Sequence, residues 1–170
     1  MPTVFNPLLR HWPLWALIAS AVMLAIAHAF QTFGGLSPCT LCLQQRDVYW
    51  TAMAVAALAL VAGLTPARAV LRPVFAIALI VVFATGAAIA ARHAGAEWKW
   101  WPGPATCSGG SGVNAAALSA LMHGAKVAAP RCDEAAWVFL GLSMAGWNCL
   151  ISLGLAGMSL AAWLKGGRDD

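Results

Sequence analysis

Ser37-Pro38-Cys39-Thr40-Leu41-Cys42-Leu43-Gln44-Gln45-Arg46 sets two thiols three positions apart and an arginine four positions beyond the second. Thiols at this spacing can close a small disulfide. A helix starting at the motif lowers the pKa of at least one thiol, because unpaired backbone N–H groups and the helix dipole favour a thiolate. With Cys42 helical, Arg46 lies about one turn further along the same face, where its fixed charge also favours an anion. The expected chemistry is thiol–disulfide redox, with a static disulfide and metal ligation as competing readings. Zinc would need Cys107 and Cys132, which do not form a second close pair, and His93 and His123 follow no recognised ligand spacing.

Cys107 is followed by Ser108-Gly109-Gly110-Ser111-Gly112, a backbone flexible enough for a cysteine to travel. Such flanks suit a disulfide that accepts attack from another protein better than a loop staple. The pairing stays open, since four cysteines allow three pairings. Cys149, within the last apolar segment, reads as a small hydrophobe. Arg46 is either an interface residue that snorkels or an electrostatic partner of Cys42. His93 is either a plain interface histidine or a hydrogen-bond donor to a carbonyl oxygen beside Cys42. His28 lies inside the first apolar segment with no partner histidine, so haem ligation is not expected.

The elements that position these groups follow from composition. The 170 residues are 61% hydrophobic and 9% charged, with mean hydropathy +0.76, which excludes a soluble domain and makes the bilayer the solvent. Charge is nearly absent from about 12–30, 48–64, 73–91 and 135–164. The expected fold is an all-α membrane protein, a single domain over 1–170 built as an antiparallel four-helix transmembrane bundle. Its connections on the thiol side are about 31–47 and 92–134. In the second, Trp98, Trp100 and Trp101 suit interface depth, and the spacing of Val113, Ala117, Leu118, Leu121, Met122 and Ala125 predicts a short interfacial helix over 114–126. Ala27-His28-Ala29 has the form of a signal-peptide cleavage site, but losing that segment would leave three spans, so a retained span is expected.

Basic residues stand at segment ends without clustering, which argues against nucleic-acid binding despite the net charge of +4. Their density favours cytoplasmic termini. Cys39, Cys42, Cys107 and Cys132 all fall on the opposite side, as expected if that side is the oxidising periplasm.

The motif Pro38 to Arg46, together with Phe139-Leu140-Gly141-Leu142-Ser143-Met144, the Trp-rich stretch before Cys107 and the four apolar segments, resembles the DsbB family of disulfide-generating membrane proteins over essentially the whole chain. The resemblance implies a quinone-dependent protein-disulfide oxidoreductase of the bacterial inner membrane. Cys39 and Cys42 would be the quinone-proximal pair, and Cys107 and Cys132 the pair that meets a periplasmic thioredoxin-like oxidase of the DsbA kind. Arg46, His93 and Met144 would contribute to a pocket for ubiquinone or menaquinone. A vitamin K epoxide reductase-like thiol/quinone enzyme is the rival enzyme reading, although its quinone-side pair lies in a late helix. A non-catalytic cysteine metal-binding membrane protein is the rival from another class.

Overall fold

In lipid, backbone polar groups must find partners within their own segment, and long uncharged runs of Ala, Leu, Ile and Val satisfy this as helices. A computed structural model of the chain describes residues 5–103, 122 and 132–166. Cys107 and, apart from Met122, the expected interfacial helix lie outside the described residues. The elements are α1 (Phe5–Arg10), α2 (Trp12–Thr32), α3 (Thr40–Ala62), α4 (Arg68–Glu97), β1 (Val138–Phe139), β2 (Leu142–Ser143) and α5 (Met144–Gly166). Three of the described helices, α2, α4 and α5, are long and apolar enough to cross a membrane. This is a mostly helical integral membrane protein.

Helix α4 packs most extensively on α5, then on α3, and α2 lies against α3. Small residues allow these close approaches. Ala16, Ala52 and Ala56 are fully buried in the core with Trp12, Leu79 and Phe83. A Cβ on Gly86 of α4 would stand 2.9 Å from Val48 Cγ1 of α3 and 3.5 Å from Ser152 Oγ of α5. Three helices therefore meet at that glycine.

The element limits differ from the apolar segments in ways that matter for the site. Helix α3 begins at Thr40 rather than near 48, so the thiol motif forms its first turn. Helix α4 extends to Glu97, which places His93 and Glu97 one turn apart on one helix. The last helix begins at Met144, not near 135. Leu140 and Gly141 both have positive φ, 51° and 79°, and turn the chain between β1 and β2, which pair as Val138 with Ser143 and Phe139 with Leu142. Two successive left-handed residues suit a two-residue hairpin and interrupt any right-handed helix. Apolar composition alone gave no warning of this break.

Candidate active site at the start of the third helix

Cys39 caps α3, and its sulfur accepts the backbone N–H of Cys42 at 3.3 Å. A cap satisfies one of the orphan donors at a helix start and directs them at sulfur. The Cys39 and Cys42 sulfurs lie 2.8 Å apart, and both cysteines are free thiols. Cys132 is disulfide-bonded and fully buried, packed with Cys39 and Leu41 in a small cluster flanked by Cys42 and Ile89. The structure thus brings three of the four expected redox cysteines together, and the fourth, Cys107, lies outside the described residues. Cys149 is a free thiol on α5.

Charge is divided unequally within the pair. The Cys39 thiol hydrogen bond brings the Cys42 pKa down to about 7 from 9.0, helped by the Cys39 backbone contact and the Arg46 charge and opposed by burial and Glu97. Cys39 moves up, because its thiol bonds to Cys42 and because it is buried. One proton shared by two sulfurs then rests on Cys39, and the negative charge rests on Cys42. A thiolate is the nucleophilic form of sulfur, and of the two sulfurs Cys42 bears the charge more readily.

His93 comes from α4 to close one side. Its Nε2 lies 3.7 Å from Cys39 Sγ and 3.7 Å from Glu97 Oε1, and its Nδ1 is 2.9 Å from Gln45 Nε2. The Gln45 amide nitrogen donates to the Leu41 carbonyl at 3.2 Å and to His93 Nδ1. With Nδ1 an acceptor, a neutral ring carries its proton on Nε2, facing sulfur and carboxylate. Gln45 Oε1 accepts from Asn148 Nδ2, Asn148 Oδ1 accepts from the Tyr49 hydroxyl, and that hydroxyl reaches Ser152 Oγ at 3.1 Å. A continuous polar chain therefore runs from Cys39 through α4, α3 and α5 into the apolar interior. Buried polar groups are stable there only when satisfied in this way.

Arg46 stands on α3 as its spacing predicted, yet its guanidinium is also a strut. Nη2 donates to the Ala27 carbonyl at 3.0 Å and Nη1 to Gln31 Oε1, tying α3 to the end of α2. Met144 is the half-buried first residue of α5, next to Ser143, whose hydroxyl donates to Glu97. Aromatic rings edge the same region: Phe30 meets Trp137 at 5.3 Å between centroids, and Trp137 stacks on Phe139 at 5.7 Å. His28, by contrast, satisfies its Nδ1 on the Leu24 carbonyl at 2.8 Å, within its own helix.

Sequence reasoning passed over Glu97, Gln45, Tyr49, Asn148 and Ser143. A signal was present: polar residues at i, i+4 in apolar helices, Gln45 with Tyr49 and Asn148 with Ser152, mark a buried stripe. It also underrated His93 as a possible ligand. The two sulfurs and a ring nitrogen of His93 lie within 4.8 Å of one another, a proximity between α3 and α4 that no linear spacing displays.

Comparison with known proteins agrees with this geometry. The family model described as "Disulfide bond formation protein DsbB" matches residues 9–162. Disulfide bond formation protein B of Azoarcus sp. (strain BH72) is 32% identical over 156 residues, covering 87% of both chains. The protein of that name from Methylococcus capsulatus is 34% identical over 158 residues, 87% of this chain and 90% of the relative. Disulfide bond formation protein B 2 of Pseudomonas entomophila is 32% identical, covering 92% of this chain and 90% of the relative. No solved structure matches the chain. Thiols at a helix start, packed on a disulfide in an apolar helical protein, together with these matches, establish that the chain belongs to the DsbB family of disulfide bond formation proteins.

Proposed function

We propose that this membrane disulfide oxidase reoxidises a periplasmic thioredoxin-like partner of the DsbA kind and delivers the electron pair to a membrane quinone. The single observation that carries this reading is the packing of disulfide-bonded Cys132 against the free pair Cys39 and Cys42. We take Cys107 as the partner of Cys132, in a single-domain four-span bundle with cytoplasmic termini and periplasmic thiols in the bacterial inner membrane, and with an interfacial helix over 114–126.

A partner thiolate attacks the Cys107–Cys132 bond; one sulfur joins the partner and the other leaves as a thiolate. The partner's second thiol resolves the mixed disulfide, so the partner leaves oxidised and Cys107 and Cys132 hold two electrons and two protons. When Cys39 and Cys42 are disulfide-bonded, a thiolate of the outer pair attacks that bond in turn. The outer disulfide re-forms, and Cys39 and Cys42 become thiols. Attack at Cys39 releases Cys42, whose charge the Cys39 backbone contact and Arg46 still favour when Cys39 carries no thiol proton, and a lower leaving-group pKa speeds exchange.

The residues present fit a quinone. Cys42 is only half-buried, Leu43 and Phe33 expose apolar surface nearby in sequence, and two Arg46 N–H groups are engaged of the five a guanidinium carries. Arg46, the His93 N–H and Met144 would hold the ring beside Cys42. A bound quinone supplies a two-electron acceptor at the lipid boundary. The chain's own part is to keep Cys42 ionised, to orient His93 through Gln45, and to hold a proton on Cys39.

The test is quinone reduction by the purified full chain supplied with a reduced periplasmic dithiol protein. Cys42→Ser is expected to lose at least about 100-fold of turnover because it removes the charge-bearing sulfur, and Arg46→Ala a smaller part because it removes a charge that favours the thiolate. Full turnover by Cys42→Ser overturns the proposal.

One observation favours a second reading, metal binding. Cys39, Cys42 and His93 offer three ligand atoms within 4.8 Å, and Glu97 stands 3.7 Å from His93. Metal analysis of the purified protein, and alkylation of Cys39 and Cys42 with and without a chelator, separate the readings. Stoichiometric metal that protects both thiols would favour the second.

A further inference from the structure

At the end of the helices opposite the thiols, the start of α2 and α4 and the end of α3 and α5 surround a crevice of about 890 Å³. Its walls are apolar, with Phe75, Trp163 and Leu164 among them, and Arg10, Arg68 and Arg72 also line it. Among the described residues no carboxylate lines the crevice, and none of these three guanidiniums makes a side-chain hydrogen bond or ion pair. Two cations elsewhere are used internally: Arg46 bonds Gln31 and Ala27, and Lys99 bonds Asp133. Three unpartnered cations beside an apolar cleft call for a ligand that is an anion at one end and hydrocarbon at the other.

The geometry points to a binding site for one anionic phospholipid, its phosphate held by Arg10, Arg68 and Arg72 and an acyl chain laid along Phe75 and Trp163. Charge complementarity selects this occupant over a zwitterionic lipid, whose own cation would face the arginines. Basic pockets between membrane helices recognise acidic headgroups on the same grounds. Guanidinium groups match phosphate oxygens in pairs, which an ammonium group does not. The site is remote from Cys39 and Cys42, so it stands or falls apart from the redox reading.

Native mass spectrometry of the full detergent-solubilised chain tests it, with phosphatidylglycerol and phosphatidylcholine supplied in equal amounts. One phosphatidylglycerol per chain is expected to remain, preferred by at least about tenfold over phosphatidylcholine. The double variant Arg68→Gln/Arg72→Gln should bring the preference close to one. Ala76→Phe keeps every charge but fills the crevice, and it should lose the retained lipid as well. Thiol-oxidase turnover of both variants reports that they are folded. Equal retention of the two lipids by the wild type overturns the proposal, as does an unchanged preference in both folded variants. Displacement by millimolar inorganic phosphate would reduce the site to an anion site and likewise overturn it. So would lipid retention that appears only in Asp169→Asn/Asp170→Asn, because the chain's own terminal acids would then be the occupant.

Discussion

The two ends of the helical bundle handle polar groups in opposite ways. Where α3 begins, Cys39, His93, Gln45, Asn148, Tyr49 and Ser152 are joined by hydrogen bonds across three helices, and all six are buried. Where α3 ends, Arg10, Arg68 and Arg72 are exposed around an apolar crevice without partners among the described residues. Low dielectric makes each unpaired group at the first end costly, whereas water and lipid headgroups can serve the second. The protein therefore sets the electrostatics of its thiols by itself and leaves those of its other end to the membrane.

The sharpest way to break that contrast is to cut the internal chain at its centre. Asn148→Leu keeps the branched outline of the side chain, with bulkier ends, but strips Gln45 Oε1 of its donor and removes one partner of the Tyr49 hydroxyl. Leaving buried polar atoms unpaired costs about 2 to 3 kcal/mol here. The expected result is a lower unfolding midpoint in detergent, along with slower turnover as Gln45 loosens its grip on His93. A wild-type midpoint and turnover would mean that the chain does not organise the thiol end.

The next effect concerns sulfur. With its pKa near 7, Cys42 is half ionised at that pH and loses thiolate tenfold per unit below it, whereas an ordinary thiol still gains thiolate up to about 9. At pH 6 the thiolate advantage is about 90-fold. A less basic sulfur is a weaker nucleophile, which returns about a factor of ten and leaves alkylation roughly tenfold faster than at an ordinary thiol. Site-resolved iodoacetamide rates against pH should level off above about 7 at Cys42, and Arg46→Ala should move that break upward. A break near 9 at Cys42 would remove the asymmetry between the two sulfurs.

At the other end, the buried contact to test is Trp12 Nε1 to Ser159 Oγ, 2.9 Å. Ser159→Ala orphans one N–H beside the crevice and should cost about 1 kcal/mol. Thermal unfolding in detergent checks the loss. A cost equal to that of Asn148→Leu would erase the difference between the ends.

What the sequence made legible was local. The thiol spacing, Arg46 one turn on, and the helical runs depend on neighbours within a turn, and the structure keeps them. What it hid was tertiary or conformational. His93 approaches Cys39 across 54 positions, and Arg46 finds its partners on α2. The last helix starts late because Leu140 and Gly141 turn left-handed, which an apolar run does not reveal. Phe139 to Ser143, part of one string behind the family resemblance, belong to a hairpin inside the segment expected to be apolar helix from about 135.

The smallest effect asks what holds Cys132 beside the free pair. Lys99 Nζ bonds Asp133 Oδ2 at 3.0 Å and the Asp133 carbonyl, linking the segment after α4 to the residue after Cys132. The lysine side chain is 61% exposed, and exposed ion pairs contribute about 0.2 to 1 kcal/mol. Cys132, by contrast, is fully buried against Cys39 and Leu41, where contacts with apolar neighbours do not depend on salt. Lys99→Ala should therefore change stability by about 0.5 kcal/mol or less and raise the rate of attack on Cys132 by a small dithiol less than about threefold. High salt should mimic the substitution in the wild type and add nothing to it in the variant, because screening removes the same attraction. A tenfold acceleration would assign the placement of the disulfide to the charged rim. Packing among sulfurs would then be a consequence of that latch, and the self-contained character of the thiol end would extend to its surface.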